Sequence, residues 1–144
     1  MSNTVDRVPA HTAAHVNERI HDEMTERVRY LAANPEGIPQ RLKELDEEWD
    51  IERAIEANAS ALAFTGIALG ATADRRWLIL PALVTAFLFQ HALQGWCPPV
   101  PILRRLGFRT THEIERERHA LKAIRGDYEN AQSKPQAALR AVAA

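Results

Sequence analysis

Between Ala54 and Cys97 only four side chains are formally charged: Glu56, Asp74, Arg75 and Arg76. The triplet Asp74-Arg75-Arg76 cuts this interval into two apolar runs, about 55–73 and 77–96. The second run is the more constraining. From Trp77 to Trp96 it holds roughly 20 residues, which make a helix about 30 Å long, the thickness of a bilayer's hydrocarbon core. Leu78, Ile79, Leu80, Leu83, Val84, Phe87, Leu88, Phe89 and Leu93 together favour insertion by about 4 kcal/mol. Trp77 and Trp96 stand at its ends, where amphipathic rings meet lipid headgroups. Pro81, in the early turns, predicts a kink.

The first run, IEANASALAFTGIALGATA, is weaker. Its large apolar residues are Ile55, Leu62, Phe64, Ile67 and Leu69, which supply only about 2 kcal/mol. Its small residues are patterned, with Ala59, Ala63, Gly66 and Gly70 spaced by four, three and four along one helix side. Small residues let helix backbones approach closely in lipid, where packing replaces the missing hydrophobic drive. In the second run Ala82, Ala86, Gln90 and Gln94 recur every fourth residue. The expectation is that this stripe meets the small-residue face of the first helix, with the glutamines bonding across. The turn between the runs is short, so the two helices are antiparallel neighbours.

The flanks carry most of the charge. The 18 Lys and Arg nearly balance the 19 Asp and Glu. The net charge of -1 gives no basic footprint for nucleic acid. The negative mean hydropathy averages two regimes and does not describe either. From about Thr12 to Ala33, Val16, Ile20, Met24, Val28 and Leu31 form a narrow apolar stripe on a charged helix. Asn34 to Pro39 breaks it. A second charged helix, about Pro39 to Asp50, has the edge Leu42, Leu45 and Trp49, and with no breaker before Ile55 it reads as running into the first apolar helix. Met1 to Ala10 reads as frayed.

Beyond the hairpin, Pro98-Pro99-Val100-Pro101 stops the helix, and Ile102 to Gly107 reads as a short interfacial turn. Thr110 to Glu113 is a capping-box signature opening a helix from about Thr111 to Arg125, with Ile114, Leu121 and Ile124 on its apolar edge and Gly126 as its stop. The fold class is therefore all-α, a two-helix transmembrane hairpin flanked by amphipathic cytoplasmic helices. In chain order the modules are 1–50, cytoplasmic helices; 51–107, the hairpin; 108–126, a cytoplasmic helix; and 127–144, a disordered tail with one helical turn near Ala137 to Ala141.

Arg41, Lys43, Arg53, Arg104, Arg105, Arg109 and Arg116 flank the hairpin, against Arg75 and Arg76 in its turn, so both termini are expected in the cytoplasm. No cleavable signal peptide is visible, since the first apolar run lies behind charged helix.

Asp50-Ile51-Glu52-Arg53-Ala54-Ile55, the small-residue helix ending Gly66-Ile67-Ala68-Leu69-Gly70, and above all Gly95-Trp96-Cys97-Pro98 resemble the DUF2892 family, the YgaP-like transmembrane domain. Leu103 to Gly107 looks like that family's leucine-rich turn. The resemblance implies a bacterial inner-membrane hairpin, often dimeric, in some relatives fused to a rhodanese sulfurtransferase domain. The likeness covers about half the chain. The segment after Cys97 is longer and richer in proline than the family's, and no rhodanese domain is present.

Cys97 is the only cysteine, so neither an intrachain disulfide nor a cysteine-built zinc site is possible. A reactive thiol there would accept sulfur, pair with a partner chain or ligate haem iron, and it would need positive charge nearby. Arg104 and Arg105 are the nearest bases in sequence, but the preceding helix presents its unfavourable C-terminal end. The bland alternative is a buried cysteine beside Trp96. His91 falls about 6 Å from the bilayer midplane by helical rise and reads as a neutral imidazole bonded to helix backbone or glutamine. His11 and His15 read as a solvated pair on one helix face, without a third metal ligand. No cofactor is expected.

Three functional readings follow. The first is a non-enzymatic inner-membrane protein whose partners are the bilayer and a second copy of itself, as a dimer. The second is a sulfur-relay component using Cys97, with a sulfurtransferase as partner. The third is a soluble bundle with Trp77 to Trp96 as its central core helix.

Overall fold

The computed structural model describes residues 6–129. Every regular element among them is helical: α1 (Arg7–Ala10), α2 (Ala14–Ala33), α3 (Ile38–Glu47), α4 (Ile51–Thr72), α5 (Ile79–Gln94), α6 (Val100–Arg105) and α7 (Thr111–Arg125). Short 3-10 turns, Pro35–Gly37 and Arg75–Leu78, precede α3 and α5. The tail expected to be disordered, with its helical turn near Ala137 to Ala141, lies outside the described residues beyond Glu129.

The chain divides into two compact units that do not follow chain order. One comprises the described residues up to Asn17 with Trp49–Thr110; the other comprises Glu18–Glu48 with the described residues from Thr111.

The first unit is built on α4 and α5. At about 1.5 Å per residue α4 is about 33 Å long. The 3-10 turn and α5 together span about 32 Å. Each therefore reaches the length of a hydrocarbon core. The expected uninterrupted run from the preceding charged helix into α4 does not occur. Glu48 turns extended, and Asp50 caps α4, its carboxylate accepting from the Arg53 amide at 2.7 Å. Pro81, expected in the early turns of the second helix, follows closely on the 3-10 turn Arg75–Leu78. It sits in the first turn of α5, where its missing N–H breaks no ladder bond. Asp74 accepts from the Arg76 amide at 2.8 Å and starts the 3-10 turn. Gly95 ends α5 at φ 74, a conformation that suits glycine.

The buried core of this unit lies at the open end of the hairpin, away from the Asp74–Arg76 turn. Val8, Ile51, Ala54, Ile55, Cys97, Val100 and Leu103 form it, with Leu88 and Phe108 packed against them. Residues 6–10 are not frayed as expected. Val8 fills the core, the Arg7 guanidinium donates to the Ala92 carbonyl at 2.7 Å, and a Cβ on Gly95 would lie 2.7 Å from Arg7. Arg104, expected at the lipid interface, is completely buried; it donates to the Asn17 side chain at 2.8 Å and to the Phe108 carbonyl at 3.2 Å. Arg109 is buried too, and its carbonyl accepts from the Ile51 amide at 2.8 Å.

The second unit packs the later turns of α2 with α3 and α7. Leu31, Ile38, Leu42, Leu45, Ile114 and Leu121 are its core, with Val28 at the edge. The stripe on α2 is thus covered in part by the α3 and α7 edges. Trp49 and Ile124, read as members of those edges, are exposed, and Ile38 takes the place beside Leu42. Glu117 is fully buried, and its carboxylate accepts from Arg27 at 3.1 Å and from Arg41 at 2.8 Å. Arg118 pairs with Asp46 and Glu115.

Candidate functional site

The hairpin surface is the dominant feature. On α4 and the segment leading into and along α5, Leu62, Phe64, Ile67, Trp77, Leu78, Ile79, Leu83, Phe87, Phe89 and Leu93 are exposed. Phe64 is 75 % exposed and Phe89 68 %. Only 11 % of the apolar stretch within residues 75–94 is buried. A soluble bundle with Trp77 to Trp96 as its central helix calls for that stretch to be mostly buried, which it is not among the described residues.

The contact between the helices is one-sided in kind. On α4, Ala59, Ala63 and Gly70 are half-buried and Gly66 is buried. A Cβ on Gly66 would stand 2.5 Å from Pro81 Cδ, and one on Gly70 would stand 2.6 Å from Leu78 Cδ2. The α5 stripe expected to meet this face does not do so: Ala82, Ala86 and Gln94 are exposed, and Gln90 is half-buried. The less exposed side of α5 carries Leu80, Pro81, Val84, Leu88 and His91. The reason is steric. A groove of small residues is filled to core density by a ridge of large side chains, which a second row of alanines cannot supply.

One side of the hairpin opens into a cavity of about 310 Å³. Ile55, Asn58, Ala59 and Leu62 of α4 line it, with Leu80, Leu83, Val84, Phe87 and Leu88 of α5 and the turn Cys97-Pro98-Pro99. Asn58 already donates to the Ala54 carbonyl at 2.9 Å. The walls are otherwise hydrocarbon, apart from the Cys97 sulfur.

Cys97 is 2 % exposed and belongs to the apolar core of the open end. Burial pushes its thiol above the ordinary value, against a smaller opposing effect of the Val100 backbone. Arg104, the nearest base in sequence, is engaged with Asn17 and Phe108. His91 is 5 % exposed, and both ring nitrogens are buried without a hydrogen-bond partner. The expected bond to backbone or glutamine is absent. Gln94, one turn on, is exposed while His91 is buried. His11 lies in the turn after α1 and His15 in the first turn of α2, both exposed, so they do not share one helix as expected. No group of three or more metal-ligating side chains occurs among the described residues.

The sequence reading missed the pairing of Trp49 with Arg53. The Arg53 guanidinium carbon lies 4.4 Å from the centre of the half-exposed Trp49 ring, at the open end of the hairpin. The signal was present: a tryptophan just before the apolar helix, with an arginine four residues on. Comparison with family models, curated proteins and solved structures returns no match for this chain.

Proposed function

We propose that this chain is a non-enzymatic integral membrane protein whose hairpin crosses the bilayer twice and associates with a second copy of itself, as a dimer. Exposed hydrocarbon on two membrane-length helices is the observation that carries this reading. At about 1.5–3 kcal/mol for each Leu, Ile or Phe moved fully out of water, ten roughly half-exposed side chains come to about 10 kcal/mol. That is comparable with the whole stability of a typical domain, and lipid removes the penalty. Soluble monomers rarely expose so large a continuous apolar patch.

Trp49 and Trp96 sit near the open end and Trp77 near the turn, a collar at each headgroup level. The excess of Lys and Arg beyond the open end favours both termini in the cytoplasm, with Arg75 and Arg76 across the membrane. The likeness of Gly95-Trp96-Cys97-Pro98 to the DUF2892 hairpin supports a bacterial inner membrane as the location. Self-association is supported by the stripe Ala82, Ala86, Gln90 and Gln94. It is largely left out of the α4 contact, and its small and amide side chains suit a neighbouring transmembrane helix. Burial and the raised pKa of Cys97 give no support to a sulfur relay or a sulfurtransferase partner.

Single cysteines test the topology. In a Cys97→Ser background, a membrane-impermeant maleimide added to spheroplasts labels a cysteine at position 74 and spares one at position 23. Equal labelling of both without detergent contradicts the reading. Cysteines at Ala86 or Gln94 should form cross-linked dimers in membranes, and their absence removes the self-association half alone.

A further inference from the structure

We propose that the cavity on the side of the hairpin is a binding slot for a single lipid acyl chain. The inference rests on the transmembrane reading above and adds a site to it. The slot's rim residues, Leu62, Leu83 and Phe87, are themselves part of the exposed apolar surface, so the slot is continuous with the face turned to lipid. Its one amide, Asn58, donates to the Ala54 carbonyl of its own helix at 2.9 Å.

The dimensions select a chain over a helix. From Ile55 to Leu62 the slot runs about 10 Å along α4. Its volume of about 310 Å³ is at the low end of pockets that hold a small, slender ligand. The Cys97-Pro98-Pro99 turn lines the end nearest the polar flanks, so a neighbouring helix cannot run through. A flexible hydrocarbon chain fits both limits. The small residue Ala59 makes the room, since a larger side chain there would fill the slot.

The protein is reconstituted in phosphatidylcholine vesicles doped with phosphatidylcholine carrying a diazirine in one acyl chain. It is then irradiated and mapped by peptide mass spectrometry. Label per residue at Leu62, Leu83 and Phe87 should exceed that at the equally apolar Phe64 and Phe89 several-fold. Ala59→Leu should abolish the excess and leave Phe64 and Phe89 unchanged. Leu83→Trp, at an exposed rim position, should reduce it while leaving Phe64 and Phe89 unchanged. Even labelling over all five positions means bulk lipid contact only and overturns the slot while leaving the transmembrane reading standing. An unlabelled slot, with chain-to-chain cross-links from a photoreactive residue at position 62, assigns the groove to a second copy and overturns it also. Absence of label from the whole hairpin overturns the transmembrane reading and the slot with it.

Discussion

At the residue scale, burial sets the chemistry of the open end. A thiol pushed up by burial holds its proton at neutral pH, and the thiolate is the nucleophile. Cys97 in the folded protein should therefore react with a small maleimide far more slowly than free cysteine at pH 7. The rate should climb only at strongly alkaline pH, and rapid stoichiometric labelling at pH 7 would contradict the burial. The same shift makes the stabilisation from the neutral thiol complete below the ordinary cysteine value and lost as pH rises through the raised one. Glu52, in the first turn of α4, is the carboxylate counterpart: its Oε2 is buried without a hydrogen bond. Burying an unpartnered carboxylate oxygen costs more than burying a neutral amide. Glu52→Gln should thus raise the Tm in detergent at pH 7; a lower Tm would sink this assignment. The burial of Cys97 was legible as the bland alternative to a reactive thiol, but the side chains that bury Cys97 and Glu52 were not. Val8 and Arg7 sit in a four-residue helix with no period to read, and Arg104 finds Asn17 across 87 positions of chain.

At the element scale, the hairpin depends on a close approach at two glycines. Pro81 is a rigid ring, so a side chain at Gly66 has nothing flexible to displace. Gly66→Val should cost about 1–3 kcal/mol, read as a lower Tm in detergent, against little change for Ala57→Val on the exposed side. In the second unit, the Glu117 carboxylate accepts from both Arg27 and Arg41. Glu117→Gln should destabilise that unit by about 3–5 kcal/mol. Amide hydrogen exchange would show this as faster exchange across α3 and α7, with α4 and α5 unchanged. The α4 face was legible because small residues recur there at helical spacing and include both glycines of the helix, Gly66 and Gly70. The α5 face was not, because that helix is apolar nearly all round and periodicity picks no side. Thr111–Arg125 was read to its ends because Gly126 marks the stop, whereas the break before α4 depended on Asp50 capping, which outweighed the absence of proline or glycine.

At the scale of the whole molecule, two kinds of packing coexist in one chain. The charged helices bury a core of their own, with ion pairs around it, as a soluble protein does. The hairpin buries little beyond its open end and its line of helix contact. Charge placement made that division readable: a stretch of some forty residues with four charges cannot belong to the same surface as flanks crowded with Glu and Arg. Where within the flanks each helix docks was not readable, because narrow stripes such as Val16 to Leu31 fit several apolar edges equally well. The central claim is that the exposed hairpin is covered by lipid, and alkaline carbonate extraction of membranes from expressing cells tests it most directly. The account predicts that the chain stays in the pellet and leaves it only with detergent. Recovery in the carbonate supernatant, followed by a monodisperse peak in detergent-free buffer, would contradict it.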